Sequence, residues 1–449
     1  MQSAHVFPPQ LRALQRAPRA ALAALLALCA ACDSSPPARG AAPPEAAARE
    51  REAAASEPAR AETEAVPLPA PEAPGSAPRL GLWVLAEGSQ RVLEHPERVP
   101  ALLATAEALG ATDLFVQVYR GGRAWFRSER ADAAPFESAL AKSGEDPLAQ
   151  LLERAHAADL RVHAWVNVLS LSGNRNAPLL ATLGRDAALV DRRGRSVLDY
   201  PELQVPPPDG AYYKLGTPAV WLDPAAPGLS DHLAALFSEL LARYPELDGL
   251  HLDYIRYPDV LPFTPGSRFG IGLDFGYGEP TRARFLAETG LEAPFLDSTA
   301  NAGRWDDWRR EQVQKLVSQI RGAARAVSPA LELSAAVWTY ADRAYLALGQ
   351  DWRGWLADGL LEFAVPMAYT SDDRLLEQMA QSFGGLPQAE RIWLGLGVWL
   401  FADDPARAFA QRRLGERAGL PSQALFSYDA IAEAPGLASA LSQERAATP

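Results

Sequence analysis

The chain has 449 residues, a formal net charge of −12 and only two cysteines, and 48% of its residues are hydrophobic. An acidic chain without a basic stripe argues against nucleic acid as a partner. Both cysteines, Cys29 and Cys32, lie near the N-terminus. The rest of the chain therefore has neither a disulfide nor a cysteine metal site, and its hydrophobic core has to stabilise it.

Residues 1–31 have the features of a secretory signal. Three arginines precede an apolar run over residues 20–31 that is too short to cross a bilayer. The run ends in Leu28-Cys29-Ala30-Ala31-Cys32, which resembles a bacterial lipobox with Cys32 as the lipidated residue. Cleavage before Cys29 is the alternative, because the lipobox prefers leucine at that position. We predict a bacterial envelope protein whose only membrane contact is a lipid anchor, with its head in the periplasm or at the cell surface.

Residues 32–78 contain mostly alanine, proline, glutamate and arginine, with almost no large apolar side chains. Such a segment cannot bury enough surface to offset the entropy lost on ordering. We therefore predict a disordered linker that holds a folded head away from the membrane.

From residue 79 onward, strand-like and helix-like segments alternate. Eight apolar runs have the length of strands: Leu80–Leu85, Leu114–Val118, Arg161–Val166, Gly249–Leu252, Leu331–Val337, Phe363–Met367, Ile392–Val398 and Ala424–Ser427. Helix-like stretches separate most of them: Val99–Leu109, Pro147–Ala158, Leu229–Arg243, Trp305–Val327 and Ala406–Arg417. Eight strands that alternate with helices predict a parallel sheet closed into a barrel.

The predicted fold is therefore α/β, a (β/α)8 TIM barrel over residues 79–432, with a C-terminal helix or tail over 433–449. Long connections after the third and fourth strands, at about 170–225 and 258–304, are expected on the catalytic face. An open, doubly wound sheet is the alternative fold. The first strand is not followed by the GxGxxG motif typical of dinucleotide-binding sheets of that kind.

The fourth predicted strand ends in the most informative segment, Leu250 to Pro258. An apolar strand stops there at Asp253, and Arg256 follows closely. Desolvating a charge costs several kcal/mol unless it is paired. In a barrel, the C-terminal ends of the strands carry the catalytic groups, so Asp253 is a predicted catalytic residue. The alternative is a structural ion pair between Asp253 and Arg256 that closes a loop.

The other strand ends carry aromatic, amide and basic residues. Aromatic faces stack on sugar rings, and amides and guanidiniums bind hydroxyl groups, so this composition favours a carbohydrate ligand. The alternative for each tryptophan is that it only plugs the barrel mouth. The predicted substrate-binding residues are Gln117, Arg120, Trp165, Asn167, Arg256, Trp338, Tyr369 and Trp399.

Other chemistries have weaker support in the sequence. There is no GxSxG motif for a serine hydrolase and no candidate thiol in the head. His251 and Asp253 lie two residues apart and point to the same face of the strand, but two ligands make a weak metal site. We predict that His251 is a core histidine with hydrogen-bond partners, and we predict neither a metal site nor a cofactor.

Several motifs in order resemble the bacterial glycosyl hydrolase-like family 10. They are Asp146-Pro147-Leu148 with His156, Val162 to Asn167, Trp221 to Pro224, Asp248 to Pro258, Asp274 to Tyr277 with Phe285 to Gly290, Trp308 to Arg310, and Asp351-Trp352 with Val365 to Tyr369. The resemblance implies a TIM barrel and a lipoprotein glycosidase of the cell envelope. It also implies a polysaccharide substrate, with peptidoglycan strands stripped of their stem peptides as the candidate.

Glycoside cleavage ordinarily uses two carboxyl groups. Asp253 is the first, expected as nucleophile or charge stabiliser because Arg256 favours its ionised form. The candidates for the acid are Asp372, then Asp342, then Glu87. The family often has a second acid directly after the residue that matches Asp253, and here that position is Tyr254.

The alternative to an enzyme is a non-catalytic glycan-binding lipoprotein on the same scaffold. A second carboxyl within about 5–10 Å of Asp253 favours the enzyme, and Asp253 alone favours the binding protein. In either case we expect a monomer.

Overall fold

The computed structural model describes residues 77–262 and 273–447. The predicted signal, Cys32 and all but the last two residues of the predicted linker lie outside the described residues. In the part of the chain that is described, no helix combines the length and apolar character needed to cross a membrane.

Eight parallel strands form a near-closed barrel. Every strand pairs with the next one along the chain except β6 with β7, and β8 pairs with β1. Two isolated parallel bridges, Ala364 with Ile392 and Met367 with Gly395, connect β6 to β7. The strands are β1 Leu80–Val84, β2 Asp113–Arg120, β3 Arg161–Asn167, β4 Gly249–Asp253, β5 Glu332–Val337, β6 Phe363–Pro366, β7 Leu394–Gly397 and β8 Gln423–Phe426. The predicted TIM barrel is confirmed.

Helices surround the barrel and bury an apolar face against it. They are α1 Val99–Leu109, α2 Ala134–Ser143, α3 Pro147–His156, α4 Pro178–Leu183, α5 Leu229–Arg243, α6 Glu279–Thr289, α7 Ala302–Val327, α8 Ala341–Leu348, α9 Trp352–Ala357, α10 Asp373–Gly384, α11 Pro405–Arg417, α12 Tyr428–Glu433 and α13 Pro435–Ala447. The last helix buries Leu437 and Leu441 completely. Residues 435–447 of the predicted C-terminal segment therefore form a helix whose first turns pack into the core.

Alternate residues of each strand point into the barrel and fill it with aromatic rings. Phe363 and Trp393 stack with ring centroids 4.1 Å apart, and Phe115 stacks on His251 at 4.4 Å. Gly249 makes room for this packing, because a Cβ at that position would overlap the ring of His163. The centre of the barrel is thus a solid core.

A network of charged side chains around the buried Asp113 and His163 closes the N-terminal end of the barrel. Arg79 donates from Nε to Asp113 at 3.0 Å and from Nη1 to Glu332 at 3.0 Å. The Nε2 atom of His163 lies 2.8 Å from Asp113, and Arg161 pairs with Glu332 at 3.0 Å. Asp113 is fully buried and accepts several hydrogen bonds, so this end of the barrel is sealed.

The long connections after β3 and β4 meet at the opposite, C-terminal end. Tyr213–Leu215 from the first connection pairs in antiparallel fashion with Val260–Pro262 from the second. Ser170 and Trp221 form a further antiparallel bridge within the first connection. The two predicted loops are therefore present, and they join each other beside the barrel mouth.

Candidate active site

A cavity of about 400 Å³ opens at the C-terminal end of the barrel. Seven barrel strands, or the residues that follow them, contribute to its wall, together with Thr217 from the connection after β3 and Met379 from α10. The lining residues are Trp83, Leu85, Gln117, Arg120, Trp165, Asn167, Thr217, Asp253, Tyr254, Arg256, Ala336, Trp338, Thr339, Tyr340, Met367, Tyr369, Thr370, Met379 and Phe426.

Asp253 is the last residue of β4 and lies in this wall with 7% of its surface exposed. Its Oδ2 atom accepts a hydrogen bond from Trp165 Nε1 at 3.2 Å. Its Oδ1 atom accepts one from the backbone amide of Tyr254 at 2.6 Å. Two donors fix the position of this buried carboxyl, and among the described residues no contact ion pair compensates its charge.

Burial raises the pKa of Asp253 to about 6. The hydrogen bonds from Tyr254 and Trp165 and the charges of Arg256 and Arg120 favour the ionised form, but they do not outweigh the loss of solvation. Arg256 favours the ionised carboxyl, as expected from the sequence, but burial has the larger effect and favours the protonated form. A buried carboxyl with a pKa of about 6 is suited to donate a proton near neutral pH.

The backbone turns sharply directly after Asp253. Tyr254 has a φ of 52°, in the left-handed region that side chains with a Cβ rarely adopt. Its carbonyl accepts a hydrogen bond from Leu169, which holds the start of the β3 connection against β4. This conformation places the Tyr254 amide on the Asp253 carboxyl, and such local strain is typical of functional sites.

Gln117 and Asn167, on the neighbouring strands β2 and β3, line the cavity as a pair of buried amides. Gln117 donates from Nε2 to Asn167 Oδ1 at 3.2 Å and accepts a hydrogen bond from the backbone of Ala86 at 3.3 Å. These bonds fix both side chains. They leave the amide nitrogen of Asn167 as a donor for a ligand.

Arg256 is 4% exposed and lies among three aromatic rings. Its guanidinium carbon is 5.2 Å from the ring centroids of Trp221 and Trp338 and 5.3 Å from that of Tyr254. Its Nη1 atom donates to the carbonyl of Tyr257 at 3.1 Å. The predicted alternative of a loop-closing ion pair does not describe this arginine, since cation–π contacts hold it instead.

Arg120 lies in the wall at the end of β2 and connects the cavity to Glu87. Its Nε atom is 3.0 Å from Glu87 Oε2, and Arg123 pairs with the other oxygen of the same carboxylate. Glu87 itself is not part of the cavity wall. Two guanidiniums therefore share one carboxylate just outside the cavity.

The aromatic residues divide into a lining set and a supporting one. Trp165, Trp338 and Tyr369 line the cavity, and the Nε1 atom of Trp338 is buried without a protein partner. Trp399 does not line it but packs edge-on against Tyr369, with ring centroids 4.9 Å apart. Phe426 lies next to both.

The two other predicted acids lie outside the cavity wall. Asp372 is exposed and caps α10, where it accepts hydrogen bonds from the amides of Arg374 and Leu375. Asp342 is exposed in the first turn of α8. Among the described lining residues, Asp253 is thus the only carboxylate.

The acids of the neighbouring sequence motifs have structural contacts. Asp146 caps α3, and Asp351 caps α9. Asp248 contacts His156 at 3.0 Å and the amide of Val162 at 2.7 Å. Asp223 is buried and accepts from Thr281 at 2.7 Å. These motif acids therefore stabilise the fold, whereas Asp253 lies in the cavity wall.

His251 has the environment of a core histidine. Trp83 donates to its Nε2 atom at 3.2 Å, and its Nδ1 atom lies 2.8 Å from the hydroxyl of Ser334. Burial lowers the pKa of His251 well below its usual value, so the ring is neutral. In the described residues, no group of three or more histidines, cysteines or acids is placed to hold a metal ion.

Sequence reasoning missed part of the wall. Trp83 and Phe426 lie on predicted strands, and the two-residue alternation of β1 and β8 could have identified their inward position. Tyr254 follows Asp253 directly, but its left-handed backbone has no sequence signal. Thr217 reaches the cavity only because the connection after β3 folds back over the mouth, which no local pattern predicts.

A (β/α)8 barrel with an aromatic and amide wall around a buried carboxyl is suited to bind a sugar and act on it. The Glycosyl hydrolase-like 10 family matches residues 80–383, which is more than half of the chain. The chain therefore belongs to this family, and the resemblance predicted from its motifs is confirmed.

Curated relatives carry related names. The chain is 24% identical over 341 residues to the protein named glycosyl hydrolase DigH of Escherichia coli strain K12, and the match covers 67% of each chain. It is 24% identical over 297 residues to glycosyl hydrolase YngK of Bacillus subtilis strain 168, covering 62% of this chain and 50% of that one.

Solved glycosidase structures share the fold. The glycoside hydrolase domain of PgaB (BpsB) from Bordetella bronchiseptica aligns with a TM-score of 0.56 at 15% identity, covering 82% of this chain and 98% of that one. Alpha-L-fucosidase isoenzyme 2 from Paenibacillus thiaminolyticus aligns with a TM-score of 0.53 at 12% identity, covering 82% and 50%. At these identities the likeness concerns the fold alone.

Proposed function

We propose that this protein is a glycoside hydrolase in which Asp253 is the general acid. The observation that carries the proposal is a buried carboxyl with a pKa of about 6 in the wall of a cavity at the C-terminal mouth of the barrel. A carboxylic acid that is still partly protonated near neutral pH can give its proton to the glycosidic oxygen as the bond breaks.

The surrounding wall suits a sugar. Trp338 and Tyr369 offer ring faces for stacking, and the amide nitrogen of Asn167 can donate to a hydroxyl group. Trp165 and the Tyr254 amide hold the two oxygens of Asp253 in place. Proton transfer to a leaving oxygen requires an acid that is held in a fixed position beside the bound sugar ring, and this wall can provide both.

We further propose that the substrate is a polysaccharide of the bacterial envelope, in particular peptidoglycan strands that have lost their stem peptides. The support is the resemblance carried by the sequence motifs together with the predicted signal and the predicted lipidation at Cys32. In this proposal the lipid anchor keeps the head close to envelope glycans, in the periplasm or at the cell surface.

A non-catalytic glycan-binding protein is the second candidate, and one observation favours it. Two-carboxyl cleavage needs a partner for Asp253, and the described cavity wall contains no other carboxylate. A protein that stacks and hydrogen-bonds a glycan without cutting it would need only the aromatic and amide part of the wall.

The variant Asp253→Asn distinguishes the two candidates. Purified wild-type protein is incubated with glycan strands from sacculi that an amidase has stripped of peptides, and new reducing ends are counted. We expect wild type to cut the strands and Asp253→Asn to cut them about a hundredfold more slowly or worse, since the proton donor is lost. Binding of the same strands should persist, because the aromatic and amide contacts remain.

The control is Asp186→Asn, an exposed acid on the turn Arg185–Ala187. It should cut at the wild-type rate. The wild-type rate should also decline as the pH rises above about 6, where Asp253 loses its proton. A wild type that binds the strands without producing reducing ends supports the binding protein, and an Asp253→Asn variant that cuts at full rate refutes Asp253 as the acid.

Mass spectrometry of the mature N-terminus tests the proposed anchor. We expect cleavage before a lipid-modified Cys32. An unmodified N-terminus beyond Asp33 would contradict the lipoprotein, without affecting the proposal for the cavity.

A further inference from the structure

The charge of the cavity wall differs from that of the whole protein. The chain has a net charge of −12, yet the wall contains two arginines, Arg120 and Arg256, and one acid, Asp253. Because Asp253 is partly protonated near pH 6, the wall is positive under the conditions in which it would act as an acid.

Arg120 is a cation with capacity for a further partner. Among the described residues its close partner is Glu87, at 3.0 Å from its Nε atom, and Glu87 also pairs with Arg123. Because two guanidiniums share this carboxylate, the group keeps a net positive charge. The side chain of Arg120 is 34% exposed and lines the cavity, so a ligand there can reach it.

Arg256 is a second, fixed cation in the same wall. Three aromatic rings surround it, and it donates a hydrogen bond to the Tyr257 carbonyl. Burial lowers its pKa, but an arginine remains protonated throughout the physiological range. Burying a guanidinium this completely is costly, and the charges of Asp253 and Asp259 offset that cost only in part, since the pKa of Arg256 remains lowered.

Two cations are unfavourable in a site that only breaks glycosidic bonds. The transition state carries positive charge on the sugar ring, and arginines next to it oppose that charge. A negatively charged group on the substrate removes the conflict. It pairs with the guanidiniums, so that they no longer repel the positive charge of the sugar ring in the transition state.

We propose that Arg120, supported by Arg256, forms an anion subsite for a carboxylate carried by the sugar next to the cleaved bond. A guanidinium binds a carboxylate through two parallel hydrogen bonds, which gives direction as well as charge pairing. The substrate is therefore an acidic glycan. This inference rests on the proposed function for its effect on cleavage.

Two kinds of sugar offer such a carboxylate. One is a sugar with an ether-linked lactyl group, as in peptidoglycan strands, and the other is a uronic acid. In peptidoglycan the lactyl carboxylate is free only where the stem peptide has been removed, because an attached peptide converts it to a neutral amide. An anion subsite thus gives a physical reason for a preference for stripped strands.

The test compares one polymer in two charge states. Amidase-stripped glycan strands are used as isolated, or after their carboxylates have been coupled to ammonia and converted to neutral amides. We expect wild type to cut the carboxylate form about tenfold faster or more in kcat/KM, the effect of a hydrogen bond between charged groups. Arg120→Gln should lose this preference, and Arg120→Lys should keep part of it.

Arg185→Gln is the matched control, because Arg185 pairs with Asp199 at the surface and has no part in the Glu87 pairs or the cavity wall. It should keep the full preference. Hyaluronan, with carboxylates on uronic acid, distinguishes the two sources. Cleavage or binding of hyaluronan comparable to that of stripped strands assigns the subsite to uronates, and discrimination against it assigns the subsite to the lactyl group.

Binding measured by calorimetry on Asp253→Asn separates the subsite from catalysis. In this background, Arg120→Gln should weaken binding of the carboxylate form and leave binding of the amidated form unchanged. Equal cleavage and equal binding of the two forms by wild type overturn the anion subsite while the glycosidase stands. A wild type that cuts neither form but binds the carboxylate form more tightly overturns the proposed function while the subsite stands.

Discussion

The two ends of the barrel bury the same residue type in opposite electrostatic settings. At the N-terminal end, Asp113 is fully buried and receives Arg79 and His163. Burial alone would raise its pKa, but the hydrogen bonds and charges of His163 and Arg79 outweigh burial and lower it. At the C-terminal end, Asp253 has two neutral donors, and its pKa is raised to about 6.

The difference shows how burial can serve stability at one end and chemistry at the other. A paired carboxylate is stable as an anion and holds β1, β2 and β3 together at the N-terminal end. An unpaired one is an unstable anion and is therefore a better proton donor. The comparison can be tested by removing the charge at each end.

Removing the charge at the sealed end should cause the largest loss of stability. Asp113→Asn keeps the volume but leaves Arg79 and His163 without their shared anion. We expect the free energy of unfolding at pH 7 to decrease by about 3 kcal/mol, because the buried charged hydrogen bonds are lost and Arg79 is left with Glu332 alone. Denaturant unfolding of the purified head measures this decrease.

The lowered pKa of Asp113 determines how the stability loss in Asp113→Asn depends on pH. A lowered pKa means that the contribution of Asp113 is fully present above its unfolded pKa, about 4, and is lost as the pH falls further. The gap between wild type and Asp113→Asn should therefore narrow below about pH 4. As a control, Asp199→Asn breaks the exposed pair with Arg185 and should cost less than about 1 kcal/mol. Equal losses for the two variants would contradict the assignment.

The sequence predicted the barrel because its signals are local. Each strand candidate is an apolar run bounded by polar or turn residues, and the bounds of all eight agree with those of the barrel strands to within two residues. The helices Val99–Leu109 and Leu229–Arg243 have the predicted bounds. Helix α10 was missed, although Asp372 before Asp373 is a recognisable N-cap signal.

The sealed end and the cavity wall could be predicted only in part. Arg79, Asp113 and Glu332 come together across up to 253 positions of sequence, and no local pattern links them. Asp253 was identified because a charge at the end of an apolar strand is visible locally. Its raised pKa was not, because the burial that causes it depends on the connections after β3 and β4 closing over the strand.

Removing the charge at the open end should increase stability. The folded pKa of Asp253, about 6, lies above the unfolded value, so its ionisation destabilises the fold increasingly as the pH rises from about 4 to 6 and fully above that. The shift corresponds to roughly 3 kcal/mol, and asparagine loses about one of the two hydrogen bonds, so Asp253→Asn should gain about 1–2 kcal/mol at pH 8.

The same unfolding measurement at pH 4 provides the comparison. Wild-type Asp253 is protonated there, and the gain should disappear. A stabilisation that is equal at pH 4 and pH 8 would show that the charge of Asp253 is not its cause. At neutral pH, the contrast between the two ends requires that Asp113→Asn decreases the free energy of unfolding and that Asp253→Asn increases it.

The smallest expected effect concerns the aromatic wall of the open end. Trp338 and Trp399 both follow barrel strands and are both half-buried, but only Trp338 lines the cavity. Trp399 packs behind Tyr369. If the wall stacks on a sugar ring, Trp338→Ala should weaken oligosaccharide binding by about 1 kcal/mol or more. Trp399→Ala should weaken it less, because it affects the ligand only through Tyr369.

Calorimetry with glycan oligosaccharides on the Asp253→Asn background measures both effects without cleavage. Trp165→Ala is less informative, because Trp165 also holds Asp253. Tyr369→Ala should resemble Trp338→Ala, since Tyr369 lies in the wall. A loss at Trp399 equal to that at Trp338 would mean that the sugar extends past Tyr369 onto the ring behind it. No loss at Trp338 or Tyr369 would mean that these rings close the barrel mouth and do not hold the ligand.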